Sequence, residues 1–219
     1  MHALWVAHIV ILGYWLGAEL VINSTYRHFS FSGQSPMVER TRQLAHVMDV
    51  DQHVRYALLL QLGTGVVLAI GYGYLPGQAP AIWLTSILVV AWLALVELVH
   101  HRRLTKAGER LARFDRGLRY LAVVLLLIGA TMAHGVLAAT PGWLRLKLAL
   151  FASIIACGVG IRLSLLPLFT LWKGLDGRTP DPSEEQAIHR IYWRSTAILL
   201  LLWLLIAGAV TLSVIKPRF

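Results

Sequence analysis

Cysteine is nearly absent. The single Cys157 excludes an intramolecular disulfide framework and any Cys-based metal site within one chain. Charge is scarce as well: Asp, Glu, Lys and Arg make up 14% of the 219 residues, where a soluble domain carries roughly a quarter. Methionine is thin, at four residues. No glycine loop of the nucleotide-binding type occurs, and no convincing nucleophile triad can be assembled from the sequence. These absences turn attention from side-chain chemistry to chemistry carried by a cofactor.

Apolar residues fill the space that charge leaves. They form 57% of the chain, the mean hydropathy is +0.65, and they come in long runs. A helix rises about 1.5 Å per residue, so about 20 apolar residues cross the hydrocarbon core. The fold class expected is therefore all-α, a polytopic transmembrane helix bundle in a single membrane domain, 1–219. About six spans are expected, near 3–22, 54–74, 81–101, 118–139, 144–166 and 194–215. The fifth can run on to Trp172 past a kink at Pro167. The turns "YLPGQAP" and "ATPGW" make antiparallel hairpins of the spans they join. The first run has no basic stretch before it and no small-residue cleavage site after it, and reads as a retained signal-anchor.

The formal charge of +9 is unevenly spread. Fifteen Lys and Arg flank three of the intervening segments, against four on the other side, with Arg162 near the inner end of the fifth span. The positive-inside rule then puts both termini outside, in what reads as a bacterial inner membrane. It also explains the basic balance without nucleic acid. Two inner segments look helical. Ser35 is the expected N-cap ahead of Pro36, and Ser183 with Gln186 the expected capping box of a helix that can continue into the sixth span.

Polar residues inside such spans are costly and tend to face the bundle or a wet cavity. His8 and His134 each lie about five residues below the outer end of their spans, roughly 7 Å into the outer leaflet. Two imidazoles at one depth fit bis-histidine ligation of haem b between helices. His53 opens the second span while His100 and His101 close the third, a second matched level that expects a second haem. At most one of the adjacent pair His100 and His101 is expected to ligate. Arg55, Arg102 and Arg27 could meet haem propionates there. His8, Trp15 and Glu19 share one helical stripe. Glu19 and Glu97 are the expected proton-handling groups, for a quinone or for a histidine ligand that Glu97 orients. Trp5, Trp83, Trp143 and Trp193 read as interfacial belts. A competing set, His46, Asp49 and His53, falls on one helical face and would suit a divalent metal.

The stretch "LWVAHIVILGYWLG" resembles the first span of the small b-haem membrane protoporphyrinogen oxidases and of the copper-resistance D proteins, in His8, Trp15 and Gly17. The following "YRHF" and "VER" resemble the residues after that span in the oxidases. The likeness covers about the first third of the chain, and it implies that His8 is an axial haem ligand or a metal ligand. The function expected is electron transfer through one or two haems b, linked to quinone, in a membrane haem oxidoreductase. The alternatives are a permease for copper or another metal ion, or a non-catalytic membrane anchor subunit of a larger complex. The partners expected are the lipid bilayer, a quinone, and a partner redox subunit or further copies of the chain; the alternative ligand is copper or another divalent metal.

Overall fold

The computed structural model describes residues 1–102, 105–132 and 139–217. Among them the chain is all-helical: α1 is His2–Phe31, α2 Met37–Gly71, α3 Ala79–His101, α4 Lys106–Thr131, α5 Gly142–Gly174 and α6 Pro182–Ile215. Every helix but α4 is long and apolar enough to cross a membrane. The first turns of α4 carry Lys106, Glu109, Arg110 and Arg113, so only its second half is apolar. The expected fourth span runs on to residue 139, and 133–138 lie outside the described residues.

Each helix packs on its neighbour in the chain, and α6 returns to α1, closing a ring of six. In that order α1 and α4 stand opposite each other. The middle of the ring is a core to which all six contribute, including Trp15, Leu59, Val96, Leu126, Ile155 and Leu202. Tight contacts come where glycine removes a side chain: a Cβ on Gly63 would stand 2.5 Å from Val89 Cγ2 of α3.

Four of the helices are much longer than a span. The far ends of α1, α2, α5 and α6 build a second core from Tyr26, Phe29, Leu44, Val47, Leu168, Ile188 and Tyr192. The two inner segments expected to be helical are these extensions. Their caps differ from expectation by about one residue. Pro36 itself sits at the N-cap of α2, so Ser35 lies outside the helix. Asp181 caps α6, with Pro182 after it and Glu184 completing the capping box in place of Ser183 and Gln186. A carboxylate accepts from two backbone N–H groups here, Ser183 at 2.8 Å and Glu184 at 2.9 Å. The Ser183 hydroxyl and those amides hold the Asp181 carboxyl below its usual range, and Arg178 does the same for Glu184. α6 then runs unbroken through the apolar stretch expected at 194–215. α5 continues through Pro167 to Gly174.

Candidate functional site

His8 projects from α1 onto α2. Its Nδ1 is 2.7 Å from Thr64 Oγ1 and its Nε2 is 3.0 Å from Gln61 Nε2. The Thr64 hydroxyl donates to the Leu60 carbonyl at 2.6 Å, so it accepts from His8, and the ring is the Nδ1–H tautomer. Nε2 is left as a lone pair facing the Gln61 amide. Gln61 Oε1 is buried and has no hydrogen-bond partner among the described residues. Gly65 lets the ring lie close, since a Cβ there would stand 3.4 Å from His8 Cε1. The Lys147 side chain of α5 lies within electrostatic reach of the ring and donates to Ser213 Oγ at 2.7 Å. His134 lies outside the described residues.

This donor geometry fits axial ligation. A ligating histidine ordinarily donates its other N–H to an oxygen that fixes the tautomer and ring plane, and Thr64 backed by a helix carbonyl supplies that. His8 Nε2 meets only a side-chain amide whose own oxygen has no partner among the described residues. Displacing Gln61 would break that single 3.0 Å bond. Gln61 and Thr64 were not singled out in the sequence. Their signal was there, two polar residues three apart in an otherwise apolar span.

Of the inner histidines, His53 is exposed on α2 and His101 on α3, and His100 is half-buried on α3. Tyr14 Oη is 2.5 Å from His53 Nδ1. The Tyr56 hydroxyl donates to the Glu97 carboxylate and accepts from Gln52 Nε2 at 2.9 Å. Glu97 Oε1 in turn meets His101 Nε2 at 2.8 Å. His100 stacks edge-on against His101, ring centroids 5.8 Å apart. So Glu97 orients His101, and His53, Tyr56, Glu97 and His101 do share one level on neighbouring helices. Tyr56 links that level and had not been picked out. His46 and Asp49 are exposed on α2. No group of three or more His, Cys, Asp and Glu among the described residues could hold a metal ion.

Glu19 is buried, 6% exposed, and accepts from Trp15 Nε1 at 3.3 Å. It borders a mostly apolar cavity of about 50 Å³ between α1, α2, α5 and α6, with Asn23, Tyr26, Ser195 and Thr196 also on its wall. Among the described residues Thr196 Oγ1 is buried without a hydrogen bond, and Tyr26 Oη makes none of good geometry though Ser195 and Ser30 lie near it. Such a void admits a few water molecules, not a quinone ring.

The arginines expected to meet propionates divide. Arg55 is taken by Asp51, with bonds of 2.9 and 2.6 Å. Arg102 ends α3 on the surface, and Arg27 is exposed on α1. One tryptophan departs from the expected belt. Trp143 is buried against Tyr74 and under the Lys216 ammonium, while Trp5, Trp83 and Trp193 are exposed. Compared with protein-family models, curated proteins and solved structures, the chain matches none.

Proposed function

We propose that this chain is a b-type haem membrane protein that transfers electrons and exchanges them with a quinone. The observation that carries the proposal is His8: an imidazole fixed as the Nδ1–H tautomer by Thr64, with Nε2 turned to a replaceable amide. The second ligand proposed is His134, which lies outside the described residues. Haem, when bound, supplies one-electron chemistry whose potential follows axial ligand and surroundings. The protein's own residues hold and orient. Thr64 sets the His8 ring plane, and the six-helix core below excludes water.

Protons are assigned to two carboxyls. Glu19 lies above the small hydroxyl-bordered void and has room for water but not for a quinone. Glu97 lies on the outer surface with Tyr56 and His101, where a lipid-dissolved quinone can approach. His53 with His100 or His101 is the proposed site of a second haem on that face, and His53 Nε2 and His100 make no hydrogen bond among the described residues. Six spans with both termini outside, in a bacterial inner membrane, complete the proposal, as the bias of Lys and Arg supports. Maleimide labelling of single cysteines in a Cys157→Ala background reads the topology. Positions 35, 105 and 177 should label only from inside, and 77 and 139 only from outside.

The deciding experiment is an absorption spectrum of detergent-purified protein, air-oxidised and then dithionite-reduced. A sharp reduced α-band with a shifted Soret peak supports the proposal. A featureless spectrum, with cofactor loss during purification excluded, overturns it and leaves the metal permease and the anchor subunit as the readings to pursue.

A further inference from the structure

One face of α4 passes from basic to apolar along a single stripe. The helix buries Gly108, Asp115, Ala122 and Leu126. On the opposite side Lys106, Arg110, Arg113, Gly117, Leu121 and Val124 follow one another at steps that keep to one helical face. Lys106, Arg110, Arg113 and Gly117 are exposed, as are Leu121 at 52% and Val124 at 50%. The three cations make no hydrogen bond and no ion pair among the described residues. Glu109 and Arg116, both exposed on one flank of the stripe, cancel in charge. A Cβ on Gly117 would meet nothing within 4 Å, which leaves an open notch between the basic and the apolar part.

A contact on the buried side sets the depth of this stripe. Trp92 Nε1 of α3 donates to Asp115 at 2.8 Å. Both residues lie about 13 Å along their helices from the turn between α3 and α4, at about 1.5 Å per residue. Lys106 is therefore level with His101, where α3 ends. Arg110 and Arg113 rise about 6 and 10 Å beside the last apolar turns of α3. Cations so near the end of a span turn their charged ends back to the headgroup level and leave their stems in the hydrocarbon. Leu121 stands deeper, about level with Ile87 of α3, itself 62% exposed.

The geometry points to this stripe as a binding site for one anionic phospholipid. Arg110 and Arg113 take the headgroup phosphate, and an acyl chain lies along Gly117, Leu121 and Val124. A guanidinium fork matches two phosphate oxygens. Phosphate is common to all phospholipids, and the selection comes from the rest of the headgroup. The ammonium of a choline lipid would be brought among three cations, whereas a lipid that keeps its net negative charge is attracted by each of them. An acidic soluble protein would meet the cations but not the apolar continuation at hydrocarbon depth. The site rests on α3 spanning the membrane, and neither on haem nor on which side α4 begins.

The test places a bimane fluorophore on Gly117→Cys in a Cys157→Ala background, in nanodiscs of mixed phosphatidylglycerol and phosphatidylcholine. One lipid or the other carries bromine on its acyl chains and quenches what it touches. Leu84→Cys on α3, at a position 58% exposed, is the reference for ordinary lipid contact. At equal lipid fractions, brominated phosphatidylglycerol should quench position 117 with several-fold preference over brominated phosphatidylcholine, and position 84 with none. Arg110→Gln together with Arg113→Gln should remove the preference, and the two Lys substitutions should keep most of it. Equal quenching by both lipids at 117 overturns the proposal, as does a preference that the Gln variant leaves intact. Quenching at 84 but by neither lipid at 117 overturns it too, and would mean that a second copy of the chain covers the stripe. If the labelled variants do not fold, native mass spectrometry of the wild-type protein released from the same mixed discs decides. Retained phosphatidylglycerol in excess of phosphatidylcholine supports the site, and no excess overturns it.

Discussion

Arg40 and Glu185, 145 positions apart in the chain, form a two-pronged ion pair that ties α2 to α6. The Arg40 side chain is 1% exposed and that of Glu185 20%. The guanidinium carbon also lies 5.1 Å from the Phe29 ring and 5.2 Å from the Trp172 ring, on α1 and α5. One side chain thus joins all four long helices beyond the ring. Breaking a buried pair from one side leaves the other charge stranded, at a cost of roughly 3 kcal/mol. Arg40→Ala and Glu185→Ala should each lower stability by about that much, and the double variant by clearly less than both together. Unfolding midpoints in mixed micelles measure it. Additive losses would mean that the two residues act independently.

His8 offers a contrast between ligand and mere interhelical bond. If His8 holds haem, His8→Ala abolishes the low-spin spectrum of one haem, and so does His134→Ala. Gln61→Leu keeps that spectrum, because the amide only covers Nε2. Thr64→Val weakens haem retention, by about 10- to 100-fold, because the ring loses the oxygen that fixes its tautomer. Haem content and spectra after dialysis distinguish the four variants. Wild-type spectra in both histidine variants would end the outer-site assignment.

Glu97 lies between Tyr56 and His101, and the proposed function gives it the proton exchange with a lipid-borne quinone. Positioned acid–base groups contribute about 10²- to 10⁴-fold in rate. Glu97→Gln should therefore slow quinol-driven reduction of the protein by at least about 100-fold while leaving its dithionite-reduced spectrum unchanged. Tyr56→Phe, which removes the hydroxyl that holds Glu97, should slow it less. An unaltered rate in Glu97→Gln would remove Glu97 from the proton path.

Much of the bundle was legible because hydrophobic runs and Pro-Gly turns act locally. α1, α3 and the apolar parts of α2, α5 and α6 follow from span length alone. Counting along an antiparallel hairpin put His53 level with His100 and His101; the contacts that join His53 to His101 run through Tyr56 and Glu97, and Tyr56 was not read from the sequence. Partnerships between helices were not. Nothing in the sequence says that Arg40 meets Glu185, because the contact depends on how α1, α2, α5 and α6 extend together past the ring. Asp51 with Arg55 and Asp115 with Arg119 carried a readable i, i+4 signal, but Arg55 was assigned to a haem propionate and Arg119 only to the basic side of the chain. Trp143 was misplaced because a tryptophan near a span end is apolar enough for either lipid or core. Tyr74 and Lys216, far off in sequence, decided for the core.

Glycines separate packing need from pattern. Gly63 faces α3 so closely that an added methyl would stand 2.5 Å from Val89 Cγ2 and 3.4 Å from Val89 Cβ. Val89 is β-branched, with few rotamers open to it in a helix, so the two helices must move apart or α3 must rotate. Overpacking of this kind costs about 1–3 kcal/mol. Gly17, part of the stretch resembling the haem oxidases, has nothing within 4 Å of an added Cβ. There, alanine's better helix propensity should leave stability unchanged or slightly raised. Gly63→Ala should therefore lower the unfolding midpoint, and Gly17→Ala should not. The same result with the two reversed would mean that α2 and α3 do not cross where Gly63 meets Val89.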